Sequence, residues 1–308
     1  MLTRGHTAKP LTGISLNVAA LFVLVCMAAC VKAATAEVPT GQAVFARAAF
    51  SLPLILGWIA AQGPLWDGLR MARPGHHLLR GTLGTVALSL NFLALSLLPL
   101  PEVTTIGFAA PMVTLVFAVV ILGEKVRLVR WGAVIIGFAG VMIVVWPRLG
   151  MGGGADNLAR IGAFAALGSA TAAALVKILL RRMVVQESTP AIVFYFALTA
   201  SLMGLLTAPF GWVWPTPEVA MLLVASGLLG GVGQLMMTAS YRYADASALA
   251  PFWYAQLIFA TVLGFVLFDE VPTPQMLAGA GLVIAAGWLI AWRESRLGKV
   301  APRRITPL

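Results

Sequence analysis

The chain has 308 residues, 60% of them hydrophobic and 10% charged, and a mean hydropathy of +0.94. A soluble domain is about 45–50% apolar and about 25% charged. Lipid is therefore the solvent for most of this chain, which excludes a soluble enzyme, a secreted disulfide scaffold and a disordered protein. The net charge of +10 is no nucleic-acid signal, because the basic residues sit in short loops and at the tail, the pattern that orients a membrane protein.

A helix needs about 20 apolar residues to cross the hydrocarbon core. Ten such runs are predicted, at roughly 12–34, 43–61, 78–98, 102–122, 129–147, 158–181, 191–211, 218–240, 247–268 and 274–292. The first contains both cysteines, Cys26 and Cys30, which read as reduced helix residues rather than a disulfide framework. Arg4, Lys9 and Ala34-Thr35-Ala36 around that run also fit a signal peptide with its cleavage site. The length of the run and the repeat described below favour a retained helix. Breaks then fall at Pro39-Thr40-Gly41, Pro99-Leu100-Pro101, Gly152-Gly153-Gly154 and Pro215-Thr216-Pro217. The second of these forces a tight hairpin. The loops leave no room for a soluble domain.

Of the 21 Lys and Arg, sixteen fall on one side of this pattern and two, Arg148 and Arg160, on the other. The remaining three, Lys32, Arg47 and Lys177, lie within runs. With the richer side cytoplasmic, both termini are cytoplasmic.

The two halves repeat. Gly81-Thr82-Leu83-Gly84 opens the third run and Gly227-Leu228-Leu229-Gly230 the eighth, 146 residues later. The same offset takes Glu124, in Leu122-Gly123-Glu124-Lys125, to Glu270, in Phe268-Asp269-Glu270-Val271. One residue of slip takes Gly132 to Gly279 and Gly140 to Gly287. Cys30-Val31-Lys32 matches Leu175-Val176-Lys177. Five runs per half, an odd number, invert the second copy, a common construction in secondary transporters. The expected fold is an all-α membrane protein of ten transmembrane helices in two inverted five-helix repeats, 12–147 and 158–292, with a basic cytoplasmic tail at 293–308.

On these residues the chain resembles the EamA type of the drug/metabolite transporter superfamily. The most specific part is Ala109-Ala110-Pro111 through Val119-Val120-Ile121-Leu122-Gly123-Glu124-Lys125, then Gly132 to Val145; Phe45-Ala46-Arg47 also fits. Asp269-Glu270 departs from the usual Gly-Glu. The resemblance implies a multi-pass inner-membrane transporter. The stretch from His77-Leu78-Leu79-Arg80-Gly81 to Ala94-Leu95 is most similar to importers of S-adenosylmethionine and riboflavin.

Candidate site residues are the polar groups inside runs. Lys32 and Lys177 are repeat mates, read either as snorkelling side chains or as matched gates binding an anionic substrate group or a helix C-terminus. Arg47 is read first as packing on outer-end carbonyls or Glu37, with substrate binding as the second reading. Asn91, Gln234, Tyr254 and Gln256, with Thr104 and Thr105, either glue helices or line a cavity. Tyr241, Trp253 and Tyr254 could stack on a flat ligand. The carboxylates all fall at helix ends, which argues against a simple carboxylate proton relay, and Glu124 and Glu270 are expected to cap or brace hairpins. The glycines Gly81/Gly84, Gly132/Gly140, Gly227/Gly230 and Gly279/Gly281/Gly287 should let backbones approach. Catalytic residues, metal ligands and cofactors are not expected. Gly152-Gly153-Gly154 lacks the Lys-Ser/Thr of a phosphate loop, and His6, His76 and His77 lie in the tail and a loop.

The expected function is secondary transport of a small organic metabolite by alternating access. Riboflavin is the leading cargo, ahead of S-adenosylmethionine and an amino acid. An amino-acid or drug exporter is the alternative, and a non-transporting membrane assembly subunit the alternative of a different class. The partners are the metabolite and the lipid bilayer; no nucleic acid is expected, and a homodimer is left open.

Overall fold

Proline and glycine decide where the helices of this chain stop and where they break. The computed structural model describes residues 10–123, 128–149, 157–183, 186–240, 243–244 and 249–298. These form α1 (Pro10–Ala34), α2 (Thr40–Ala49), α3 (Leu52–Ala60), the short α4 (Leu65–Leu69), α5 (Pro74–Leu97), α6 (Leu100–Gly107), α7 (Ala109–Leu122), α8 (Leu128–Val145), α9 (Asn157–Met183), α10 (Thr189–Leu205), α11 (Pro217–Ser240), α12 (Ala255–Phe268) and α13 (Pro274–Gly298). Among the described residues there is no strand.

Eight stretches are long and apolar enough to cross a membrane; α2 with α3, and α6 with α7, each count as one of them. Two shorter apolar helices, Thr189–Leu205 and Pro274–Leu289, occupy the seventh and tenth predicted runs. The breaks inside spans have a covalent cause. Proline has no N–H and its ring crowds the carbonyl four residues back. Pro53 thus frees the Ala49 carbonyl at the α2–α3 break, and Pro111 frees that of Gly107 at the α6–α7 break.

Several predicted boundaries move; the helix of the tenth run, for one, continues to Gly298 rather than ending at 292. The seventh run ends at Leu205 rather than 211, because the Thr207 hydroxyl donates to the Gly204 carbonyl (2.6 Å) and a 3-10 turn at Ala208–Phe210 leads to left-handed Gly211 (φ 99°). The ninth begins as a 3-10 turn, Ala250–Tyr254, with Pro251 near its start, and becomes α-helical only at Ala255. The third begins at Pro74, four residues earlier than expected, which places Arg80 nearly two turns inside a helix.

α1 packs on α11 and α5 on α9; α2 packs on α10 and α8 on α13; α7 lies against α9, α12 against α1, and α6 crosses α12. The main core is built of small and β-branched residues with Phe92, Leu95, Leu98, Leu100 and Ile106 at its densest part. Large apolar side chains such as Ile135, Ile258, Phe265 and Val266 point outward, as they must where lipid replaces water. The close approach expected of the glycines is clearest where α8 meets α13. A Cβ on Gly140 would stand 2.6 Å from the Gly279 carbonyl oxygen, and one on Gly279 2.5 Å from that of Gly140. Gly132 and Gly281 have no such neighbour, so they do not serve the packing expected of them.

Candidate functional site

Two interrupted helices meet at the centre of the site. α6 gives way to α7 at Phe108, and the 3-10 turn gives way to α12 at Tyr254. The rings of Phe108 and Tyr254 stack at these two breaks, with centroids 4.9 Å apart and planes 26° apart. Gly287 on α13 makes room for the Tyr254 phenol, since a Cβ there would overlap its hydroxyl. Lys177 on α9 holds its ammonium 5.9 Å from the Trp253 ring, next in the chain to Tyr254. Gln256 is half-buried in the first turn of α12 and Asn91 half-buried on α5. The hydroxyls of Thr104 and Thr105 donate to the carbonyls of Leu100 and Pro101 (2.8 Å each). Both hydroxyl protons are thus given to their own helix.

One end of the bundle is held by charge. The Lys32 ammonium lies 2.9 Å from Glu270 Oε1 and donates to the carbonyls of Leu98 (2.7 Å) and Leu95 (3.2 Å). Those carbonyls end α5, where a cation is favoured. The other oxygen of Glu270 accepts the Leu100 N–H that opens α6 (2.8 Å). One carboxylate thus ties α1, the α5–α6 hairpin and the end of α12 together. Beside it Arg148 grips Glu102 through two parallel bonds, 2.9 and 2.6 Å, the strong bidentate form. Glu102, Arg148, Glu270, Pro99 and Pro101 line a cavity of about 240 Å³ at this end. The Lys32 side chain is thus held by a carboxylate and a helix end. The bracing expected of Glu270 is what the geometry shows. Its repeat mate Glu124 and the candidate ring Tyr241 lie outside the described residues.

Arg47 corrects a second expectation. It binds neither outer-end carbonyls nor Glu37, which accepts the Thr216 hydroxyl instead (3.1 Å). Arg47 is buried, its guanidinium carbon 5.8 Å from the Phe196 ring. Arg80 reaches the same ring, at 4.2 Å. The Nε of Arg47 and the Nε and Nη1 of Arg80 are buried without a hydrogen-bond partner. Gln234 joins Arg47, Ser51 and Phe196 around a cavity of about 20 Å³. Two predicted residues, Arg47 and Gln234, are therefore brought together. Tyr254 and Gln256 share a second locality with Lys177, and Lys32 stands apart at the charged end.

Sequence reading missed Arg80, the Glu102–Arg148 pair and Asn17. Asn17 is fully buried on α1 with both amide atoms unpartnered; its place as the one amide in a long apolar run was the available signal. Outside the spans, Glu187 accepts the N–H groups of Ala72 (3.0 Å) and Arg73 (2.7 Å), with His77 Nε2 3.1 Å away. Burial opposes its ionisation, but the Ala72 N–H, the His77 ring and the Arg73 N–H outweigh that and hold its pKa below the ordinary value. Among the described residues no group of three His, Cys, Asp or Glu could hold a metal.

The EamA-like transporter family matches residues 11–146 and again 160–292. An S-adenosylmethionine uptake transporter of Rickettsia bellii is 28% identical over 83% of this chain and 84% of its own. A pseudopaline exporter of Pseudomonas aeruginosa is 28% identical over 89% and 94%, and a riboflavin transporter of Vibrio cholerae 25% identical over 84% and 85%. These relatives are transporters, not enzymes. A crystal structure 20% identical in sequence superposes with a TM-score of 0.67, covering 93% of this chain and 99% of that one, so the fold recurs.

Proposed function

The chain belongs to the EamA-like transporter family, and from that premise we propose that it moves a small, flat, partly polar metabolite across the inner membrane by alternating access. The observation that carries this reading is the pairing of helices. Exchange of the two matched halves takes α1 on α11 into α9 on α5, and α12 on α1 into α7 on α9, while α2 on α10 and α8 on α13 map onto themselves. That supports ten crossings in two inverted five-helix repeats, with α10 and α13 as the seventh and tenth. Inversion makes the two access states exchanges of conformation between halves.

Lys32–Glu270 is the latch of one end in this reading. Lys177 is Lys32's mate in sequence and supplies the matching latch of the other state. The interrupted helices at Phe108 and Tyr254 favour cargo at mid-depth, where broken helices commonly bind substrate. Their stacked rings offer a face for a flat heteroaromatic group. S-adenosylmethionine stands ahead of riboflavin as cargo, on the relatives' names. Both termini are cytoplasmic in this reading.

The test is uptake of labelled S-adenosylmethionine and riboflavin into proteoliposomes. Uptake of either above that of empty vesicles supports the reading. Equilibration of both no faster than in empty vesicles, with export of an amino-acid analogue, shifts it to an amino-acid exporter.

A further inference from the structure

Arg47 and Arg80 bring two guanidinium groups to the same ring, in the interior of an apolar bundle, with three of their nitrogens unpartnered. Arg47 is 9% exposed. Among the described residues no carboxylate reaches either. An unpaired charge in such a place is costly, and two of like sign near each other cost more. The face of Phe196 returns only about 1–2 kcal/mol per cation. We propose that the two arginines form a binding site for an anionic oxygen group, the carboxylate of the cargo. The inference rests on the transporter reading above and names its substrate class, a carboxylate-bearing metabolite.

The surroundings are shaped for this. A Cβ on Gly84 would stand 2.5 Å from Arg80 Nη1 and 2.8 Å from the Phe196 ring; one on Gly230 would stand 3.1 Å from Arg47 Nε. Both glycines clear space for the guanidinium groups. Beside Arg47 the cavity of about 20 Å³ has room for a single water, and the Gln234 amide and Ser51 border it. The guanidinium fork matches a carboxylate. The second half does not repeat these charges: the offset relating Gly84 to Gly230 takes Arg80 to Ser226 and Arg47 to Val193.

The carboxylate has two possible bearers, the cargo and, through a related oxyanion, a phospholipid headgroup. The site sits at Phe196 in the interior of the bundle, with Arg47 buried, which favours cargo. S-adenosylmethionine carries a carboxylate and riboflavin does not.

The experiment follows thermal unfolding of the full chain, delipidated in a non-ionic detergent. Sodium benzoate is compared with its neutral isostere benzamide at equal ionic strength. Benzoate is expected to raise Tm by about 2 °C or more and benzamide not. Arg47→Gln and Arg80→Gln each weaken benzoate binding about tenfold to a hundredfold. Without benzoate both variants unfold at or above the wild-type temperature, because an unpaired charge has gone. Gly84→Ala keeps both charges and also weakens the benzoate response. The proposal is overturned if benzoate and benzamide act alike, if the response survives in both arginine variants, or if both variants are less stable without anion. A rise with dioctanoyl phosphatidylglycerol that depends on the arginines, with none for benzoate, overturns it in favour of lipid. Uptake into proteoliposomes separates the two readings. Equal transport of S-adenosylmethionine and its decarboxylated analogue overturns the anion site and keeps the transporter. An intact benzoate response with no flux of any probe overturns the transporter and keeps the site.

Discussion

At Glu270 a single carboxylate holds a lysine, and through it a helix end, together with the first N–H of another helix. Removing either partner of such a part-buried pair strands the other. Lys32→Ala and Glu270→Gln should therefore each slow transport about tenfold or more, as the closed form loses a few kcal/mol of bias. The double variant should be little worse than either single one, which a double-mutant cycle on uptake rates measures. Lys177→Ala should slow transport without preventing membrane insertion; unchanged rates would return this lysine to the snorkelling class. The neighbouring Asp269 explains the departure from Gly-Glu in the second half. It adopts the left-handed region (φ 53°), as Gly123 does at the matching position (φ 67°), and both close their helices there. Asp tolerates that region better than most residues, at a cost. Asp269 is exposed, so Asp269→Gly should stabilise the chain by about 1 kcal/mol, read as a rise in Tm of about 2–4 °C.

At the level of elements, the broken helices and their glycine partners carry the site. Gly287→Ala should push Tyr254 off Phe108 and destabilise the bundle by about 1–3 kcal/mol, seen as a lower Tm with reduced uptake. The loop that docks α4 and the start of α5 on the start of α10 depends on Glu187. Its pKa is lowered in the fold, so its contribution is present above the unfolded-state value and is lost as pH falls through the folded one. Glu187→Gln should thus lower Tm at neutral pH and cost progressively less as the pH is taken into the acid range. A constant difference across that range would contradict the assignment.

On the scale of the whole molecule, the helices were legible because apolar runs bounded by Pro and Gly leave few alternatives in lipid. The repeat was legible because Gly84/Gly230, Glu124/Glu270 and Lys32/Lys177 keep their spacing. What escaped was anything set by tertiary approach. Arg80 looked like a helix-end residue because its helix was started at 78 rather than Pro74, and only packing brings it beside Arg47 and Phe196. The Glu102–Arg148 pair joins residues 46 apart, which no local pattern reveals. The Phe108–Tyr254 stack joins two positions 146 apart, the repeat offset itself, and is visible only once the halves are superposed.

The central claim is exchange of cargo by alternating access, and counterflow measures it most directly. Proteoliposomes loaded with unlabelled S-adenosylmethionine are placed in a trace of labelled compound. The account predicts a transient internal accumulation of label above equilibrium, stronger than in unloaded vesicles, and its slowing by about tenfold in the Lys32→Ala, Glu270→Gln double variant. Label that never exceeds the level in empty vesicles, with S-adenosylmethionine, riboflavin and amino acids alike, would contradict it.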